Sequence, residues 1–523
     1  METVASCPGK VLLAGGYLVL NRQHRGLVVS TPSRFYTVVR SADSSSADAS
    51  GEGAAPERSG DGVPIKVVSP QFEDGRWDFV ARGGEGQWRV EPVEREGSSS
   101  NPFVHLSLQA TLQLASAVRS NIAVEPLEIV IVGSNDFYTQ SRTDAVPKPF
   151  APLNCTIRNV HKTGLGSSAA MVTSLTSALF LHLTGATSDR PSAAGSDTTT
   201  PPARPPTPDA STTQLLHNLA QYVHSLAQGK IGSGFDVSAA VFGSQTYRRF
   251  AVECLGDLLE KGTAPVPADE LLQVLSPARN LAWSSESTAG SVAPFALPLH
   301  TVLLLADVDA GSNTPSMVGK VLQWKKADPE AAQRVWGDLA RANESLREVC
   351  GELTEGARRD KEEYARETQR LALLPSSEWT SSSPSSPFGA AAASILRTRA
   401  LMREMGQASD VPIEPAEQTR LLDACSALPG VIGAGVPGAG GYDAVWVLCL
   451  DPPPLSETPG ASVPPPVRAV ETLLRSYEEM SVGPLSKSAW VRGGTFEGEA
   501  GLLLERAQDV DGLQEALERA KRY

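Results

Sequence analysis

The chain has 523 residues, 41 % of them hydrophobic, which is enough for a sizeable core and sets a length prior of about three domains at roughly 150 residues each. Its formal net charge of −13 excludes a nucleic-acid binder built on a basic face. Six cysteines in so long a chain, none at metal-ligand spacing, exclude a zinc motif and a disulfide framework and point to a reduced, cytoplasmic compartment.

In chain order, Val11 to Leu20 is the first apolar run. It is too short to span a membrane, as is every later run, and it lacks a basic leader and a cleavage site, so it reads as strand–turn–strand. Residues 41–61 form a Ser/Gly/Asp-rich insertion. Leu127–Val132 is strand-like, and Lys162–Ala170 is a glycine loop opening a helix. After a Ser/Thr/Pro-rich stretch at 187–213, Gln214–Gln228 carries apolar residues at Leu215, Leu216, Leu219, Ala220, Val223 and Leu226, the stripe of an amphipathic helix, which Gly229 ends. Thr301–Ala306 and Ala444–Leu450 are strand-length apolar runs, while Glu330–Val349 and Ala391–Met405 read as helices. Residues 375–387 and 451–466 are two more low-complexity stretches, best placed as surface insertions on a compact frame. Strands and helices mix without regular βαβ alternation, which predicts an α+β fold with fewer domains than length alone implies.

Lys162-Thr163-Gly164-Leu165-Gly166-Ser167-Ser168-Ala169-Ala170 carries the clearest chemistry. Two glycines let the backbone approach a ligand closely, and a helix opening there aims free N–H groups and its dipole at an anion. A Walker A loop is excluded, because Gly9-Lys10 precedes Val11 and Gly229-Lys230 precedes Ile231 rather than Ser or Thr. A Rossmann fingerprint is disfavoured: Ile157–His161 is a poor strand, and the next acidic residues, Asp189 and Asp197, lie in no second strand. In an acidic protein a phosphate site needs a local positive island, for which Lys10, Lys162, Lys230, Arg248 and Arg249 are candidates.

Gly164–Ala170 resembles the phosphate loop of the GHMP small-molecule kinases, the superfamily of galactose, homoserine, mevalonate and phosphomevalonate kinases. Two further stretches resemble motifs of that superfamily in the same order: Pro8-Gly9-Lys10-Val11-Leu12-Leu13-Ala14-Gly15-Gly16-Tyr17 and Gly435-Val436-Pro437-Gly438-Ala439-Gly440-Gly441-Tyr442-Asp443. The finer resemblance is to phosphomevalonate kinases of the fungal type. Ala227–Val237, Tyr247-Arg248-Arg249-Phe250, Ile413-Glu414-Pro415 and the Gly435 loop carry it. Many superfamily members place a proline shortly before the phosphate loop. This chain has Val160-His161-Lys162 there, as phosphomevalonate kinases do.

The resemblance implies a two-lobed α+β fold. Its N-terminal lobe (1–270) is like ribosomal S5 domain 2 and binds nucleotide, and its C-terminal lobe (290–523) is ferredoxin-like. It implies an ATP- and Mg²⁺-dependent conversion of 5-phosphomevalonate to 5-diphosphomevalonate in the route to isoprenoids and sterols such as ergosterol. Lys10 and Asp236 match the catalytic lysine and aspartate, and Lys162–Ala170 match the segment that holds ATP. Ser168 matches a magnesium ligand, with an N-cap of the following helix as the alternative. Asp236 has the same alternative before a helix starting at Val237. Tyr17, Lys230, Ser312, Gly438 and Gly440 are substrate-side candidates. Tyr17 reads equally as a core aromatic, and the glycines as a tight loop before the Ala444 strand. Lys162, Lys230 and the Arg248–Arg249 pair are candidates for the acceptor phosphate. The competing readings are another acceptor within the superfamily, a decarboxylase, which the intact phosphate loop disfavours, and a non-catalytic sensor, which retention of Lys10 and Asp236 disfavours. A phosphate acceptor with a second pKa of about 6 is already a dianion at neutral pH, so Asp236 is expected to orient Lys10 or the metal more than to remove a proton.

Overall fold

A computed structural model describes residues 2–41, 62–84, 87–95, 100–120, 122–139, 148–185, 207–283, 291–308, 314–379, 386–453, 465–495 and 500–523. Three of the four low-complexity stretches lie largely outside these residues, as does Ser312. In the fourth, 375–387, the described residues include the buried Trp379 and the start of the helix Pro387–Ser409, so that part is core rather than a surface insertion. Among the described residues no helix is long and apolar enough to cross a membrane.

The first lobe is built on one mixed sheet. Its strands are β1 (Glu2–Ala14), β2 (Gly26–Ser41), β3 (Gly62–Val68), β4 (Arg76–Gly84), β5 (Gln87–Val93), β6 (Leu127–Gly133), β7 (Gln245–Arg248) and β8 (Ser291–Pro294). The long β2 splits its partners: Phe35–Ser41 pairs with β6, and Gly26–Val28 pairs with β7. The helices of this lobe that bear on the site are α1 (Pro102–Val118), α2 (Ser167–Thr184), α3 (Ala210–Gln228) and α4 (Phe235–Phe242). Leu108, Leu112, Leu175, Leu179, Leu219 and Val223 from the first three lie in one core with Val11, Val29 and Ile129 of the sheet.

Local chemistry sets the helix ends. Asn101 accepts from Val104 N and Pro102 occupies the first turn of α1, a position where the missing N–H costs nothing. Asp209 caps α3 by accepting from Ser211 N and Thr212 N, and Gly229, at φ 65°, closes it. The cap lies inside the Ser/Thr/Pro-rich stretch, so α3 begins at Ala210, four residues before the periodic stripe. The turn after β1 also differs from strand–turn–strand: Leu18–Leu20 is a 3₁₀ turn, and the second strand starts at Gly26.

The second lobe carries the sheet β10 (Val431–Gly435), β11 (Ala444–Leu450), β9 (Thr301–Val308), β12 (Val482–Pro484), with β13 (Val491–Arg492) also on β9. Alternation along β9 divides two cores. Val302, Leu304 and Ala306 face a cluster with Leu421, Leu422 and Val470, whereas Leu303 and Leu305 join the core continuous with the first lobe. Two long helices, Pro329–Arg359 and Pro387–Ser409, exceed the expected 330–349 and 391–405. Caps extend both, at Asp328 and Ser386, each with proline in the first turn.

The chain then returns to the first lobe. β14 (Leu503–Glu505) pairs antiparallel with β1, placing Leu504 opposite Ala5. The terminal helix Leu513–Ala520 buries Leu513, Ala516 and Leu517 against Val4, Val38 and Val130.

Candidate active site

β1 delivers Lys10 to the phosphate loop. The Lys10 amide donates to Leu165 O at 2.9 Å and its Nζ donates to Gly164 O at 2.8 Å. Nζ also lies 5.4 Å from the centre of the Phe235 ring. Gly164 and Gly166 have φ of 76° and 81°, and a Cβ at Gly166 would meet Lys10 Cε at 3.0 Å. The backbone conformation therefore requires glycine at 166, and a Cβ there would displace the Lys10 side chain. Gly166 is the N-cap of α2 and supplies no side-chain cap, which leaves the helix N-terminus open to an anion. Ser168 lies within the first turn rather than at the cap.

The rest of the loop divides between ligand side and scaffold. Thr163 is buried, its hydroxyl donating to Asp136 O at 2.5 Å and its amide to Phe137 O at 3.2 Å. Leu165, Ala169 and Ala170 are core residues. Lys162 is exposed and forms an isolated bridge with Tyr138, while Ser167 and Ser168 are half-buried. Asp136 is a brace between lobes: Ser486 of the second lobe donates to its carboxylate through both N and Oγ at 3.0 Å, and Ser33 donates at 3.3 Å. Burial pushes the Asp136 carboxyl up in pKa, against the pull of these bonds.

Asp236 stands in the first turn of α4, whose N-cap is Gly234 at φ 77°. It is half-buried and accepts from Val237 N at 3.0 Å. Burial lowers the Lys10 pKa, while Asp236 and Asp443 pull it back up, so two carboxylates from different lobes converge electrostatically on one lysine. Asp443 was not among the residues expected from sequence, although it ends the third motif.

The loop before Asp236 is held by its carbonyls. Tyr247 Oη donates to Ser233 O at 2.7 Å and Gln221 Nε2 to Gly234 O at 2.7 Å. Arg249 reaches Gly232 O at 2.6 Å, Ile231 O at 3.3 Å and Leu20 O at 2.9 Å. Arg249 thus ties the first motif's turn to the aspartate loop, which identifies it as a clamp. Lys230 is exposed just after the α3 C-cap.

The third glycine loop is engaged with protein. Tyr17 is buried, and its hydroxyl donates to Ala439 O at 2.9 Å. The amides of Gly438, Gly440 and Gly441 donate to Leu12 O (3.4 Å), Pro437 O (3.0 Å) and Ile413 O (2.8 Å). Beneath it Glu414, buried, takes Arg399 at 2.7 Å and Arg403 at 2.7 Å.

For a metal, the described residues hold no group of three or more His, Cys, Asp or Glu side chains arranged as ligands. Mg²⁺ needs none, because it takes one or two protein oxygens and fills its shell with water and phosphate. Ser168 fits that role. His224 Nε2 lies 3.0 Å from Ser168 Oγ and 3.0 Å from Gln228 Nε2. The Gln228 amide can only donate there, so the same imidazole nitrogen accepts the Ser168 proton and leaves the oxygen lone pairs available. Burial lowers the His224 pKa, with Asp236 opposing.

Comparison with known proteins gives a consistent set of relatives, although no family model matches. The chain is 37 % identical over 470 residues to the phosphomevalonate kinase erg8 of Aspergillus fumigatus, covering 86 % of this chain and 88 % of that protein. It is 34 % identical over 487 residues to the peroxisomal phosphomevalonate kinase of Arabidopsis thaliana, covering 86 % and 90 %. Among solved structures, the phosphomevalonate kinase of Streptococcus pneumoniae in complex with phosphomevalonate and AMPPNP shares the fold at a TM-score of 0.50 and 17 % identity, over 86 % of this chain and 92 % of that one.

Proposed function

Because this chain belongs to the phosphomevalonate kinases, a branch of the GHMP kinases, we propose that it transfers the γ-phosphoryl group of ATP to the phosphate of 5-phosphomevalonate, forming 5-diphosphomevalonate in the mevalonate route to isoprenoids. The observation that carries the site assignment is the position of Lys10: its ammonium is bonded to the phosphate loop at Gly164 O, and the charges of Asp236 and Asp443, from the two lobes, favour its protonated form.

Phosphoryl transfer is mostly positioning and charge neutralisation. The open N-terminus of α2 and the loop 162–170 receive the nucleotide phosphates. Lys10 neutralises charge at the transferring group, where two unit anions at about 4 Å repel by ~4 kcal/mol at an effective dielectric of 20. Bound Mg²⁺ would supply further neutralisation of phosphate charge, held on the protein side by Ser168. Asp236 and Asp443 favour the protonated state of Lys10 in its buried setting. The acceptor phosphate arrives as a dianion, so Asp236 holds the lysine rather than removing a proton. The two separate sheets support a division into two lobes, but β8 (Ser291–Pro294) pairs with β7 in the first sheet, so the second lobe is better begun at β9 (Thr301–Val308) than at 290, with the segment from Leu503 crossing back. Six unpaired cysteines support a reducing compartment, which we take to be the cytoplasm.

The test is ADP release with ATP and Mg²⁺ for 5-phosphomevalonate, mevalonate, galactose and homoserine in parallel. Turnover confined to 5-phosphomevalonate is expected. Turnover with a different acceptor alone overturns the substrate, and silence with all four despite ATP binding favours a regulatory protein.

A further inference from the structure

Helix α3 carries the same five-residue unit twice. His217-Asn218-Leu219-Ala220-Gln221 and His224-Ser225-Leu226-Ala227-Gln228 both read His-X-Leu-Ala-Gln, seven residues apart, a spacing that sets the two units on one face of the helix. In each unit the glutamine lies one turn beyond the histidine, and its Nε2 donates to the imidazole Nε2: Gln221 to His217 at 3.2 Å, Gln228 to His224 at 3.0 Å. An amide NH₂ can only donate, so both imidazoles accept at Nε2. His217 therefore carries its proton on Nδ1 and donates to Asn218 Oδ1 at 3.0 Å, and Asn218 Nδ2 donates to Leu275 O at 2.8 Å. Burial lowers both histidine pKa values, that of His217 to about 4, which keeps the rings neutral at neutral pH. Phe242 and Trp283 flank the His217 ring at 5.0 and 6.2 Å, and Phe103 lies 6.0 Å from that of His224.

A core helix has no need of such a stripe. His217, Asn218, Gln221 and His224 are all buried, and buried polar groups cost free energy unless each finds its partner. Apolar side chains would fill the same space without that demand. What the stripe reaches accounts for it. The second Gln221 Nε2 hydrogen goes to Gly234 O at 2.7 Å, and Gly234 is the N-cap of α4, two positions before Asp236. Gly234 also packs directly on this side chain: a Cβ there would lie 3.0 Å from Gln221 Oε1. One turn further along α3, His224 Nε2 takes the Ser168 proton at 3.0 Å. The two contacts are separated by three residues, about 4.5 Å of hydrogen-bonded helix. One contact holds the loop that carries Asp236, and the other holds the first turn of α2.

We propose that α3 is the spacer between the two halves of the site, with Gln221 positioning the turn that carries Asp236 and His224 positioning the Ser168 hydroxyl. The proposal rests on the activity assigned above. Both side chains act through another residue, so they are positioning residues rather than catalytic ones. Phosphoryl transfer depends on such registration, because small displacements of a positioned group cost large factors in rate. The first unit fixes its glutamine through the chain Leu275–Asn218–His217, and the second fixes its histidine through Gln228.

The experiment measures kcat and KM with their pH profiles, ATP affinity by calorimetry with Mg²⁺ and with EDTA, and the thermal midpoint. It does so for wild type, Gln221→Met, His224→Leu and His224→Gln. Gln221→Met keeps the side-chain length and removes both donors. Its kcat is expected to fall by about 10- to 100-fold, with the KM for ATP level. Its alkaline limb of kcat/KM moves to lower pH, because a loosened Asp236 holds Lys10 less well as a cation. In His224→Leu the gain in ATP affinity that Mg²⁺ confers is expected to shrink by about tenfold or more, while affinity for metal-free ATP stays level. His224→Gln restores most of that gain, since its amide oxygen can accept from both Ser168 and Gln228. If Gln221→Met does not fold, the two His224 variants carry the test. Variants that lose thermal midpoint yet keep the wild-type kcat, alkaline limb and Mg²⁺ gain show α3 to be scaffold alone and overturn the inference. So does a His224→Leu defect that is equal with and without Mg²⁺. A wild type without turnover overturns the activity assignment, whereas the ATP-binding arm needs no acceptor and decides the role of His224 separately.

Discussion

Two glycine-rich loops look alike in the sequence and differ in what their amides do. At 164–170 the glycines turn the backbone into the start of α2 and leave its N-terminus without a side-chain cap. At 435–441 the amides of Gly438, Gly440 and Gly441 are spent on Leu12, Pro437 and Ile413, and Tyr17 closes over Ala439. The first loop can receive an anion, whereas the second holds the first motif against the second lobe. Glycine content signals only that backbone comes close to something. Whether that something is a ligand depends on which N–H groups remain unpaired.

The strongest way to break the comparison is to undermine the second loop from below. Glu414→Ala leaves Arg399 and Arg403 without their buried partner beside Ile413. A loss of about 3–5 kcal/mol in unfolding free energy is expected, read by urea denaturation. Gly440→Ala places a Cβ 2.0 Å from Ile413 O at φ 74°. It should lower stability by about 1–3 kcal/mol, while the surviving folded protein keeps its affinity for ATP. Gly166→Ala gives the converse. Its Cβ would crowd Lys10 at φ 81°, so the KM for ATP should rise by about tenfold, the equivalent of the ~1–2 kcal/mol that a left-handed conformation costs, with a smaller change in unfolding midpoint than Gly440→Ala. If both glycine variants lose ATP affinity equally, the division of labour between the loops is wrong.

The smallest effect expected is in a pH profile. Lys10 acts as a cation, so activity is kept below its pKa and lost as pH rises through it. Burial sets that pKa below the ordinary lysine value, and Asp236 raises it. Asp236→Asn therefore moves the alkaline limb of kcat/KM to lower pH. From about pH 7 to the onset of that limb, the ratio of variant to wild-type rate stays level, because the acceptor phosphate is already ionised. A rate limb that vanishes with the aspartate would instead identify it as a general base.

Much of the candidate site was legible because it is written in short segments. Lys10, Asp236 and the 162–170 loop each sit in a contiguous run with glycines at fixed offsets, and the strands Leu127–Gly133 and Ala444–Leu450 announced themselves as apolar runs. What stayed hidden depends on closure between distant positions. Nothing local marks Asp443 as a charge acting on Lys10, Ser486 as the partner of Asp136, or β14 as a strand beside β1. Arg249 was visible as a basic residue in a recognisable stretch, yet its work on three carbonyls emerges only when the Leu20 turn and the aspartate loop come together. The start of α3 was missed because Asp209, its cap, lies in a stretch whose composition reads as insertion.

The central claim is that Lys10, between the nucleotide loop and the acceptor side, is the catalytic centre of phosphoryl transfer to a phosphate. Single-turnover ³¹P NMR with ATP, Mg²⁺ and 5-phosphomevalonate tests it on wild type and Lys10→Met. The wild type should convert the acceptor's phosphate resonance into the coupled pair of a diphosphate. The variant, folded and still binding both substrates, should do so about 10²–10³-fold more slowly, as expected for loss of one group that stabilises the transition state. Diphosphate formation by Lys10→Met at the wild-type rate would contradict the account and place the chemistry elsewhere.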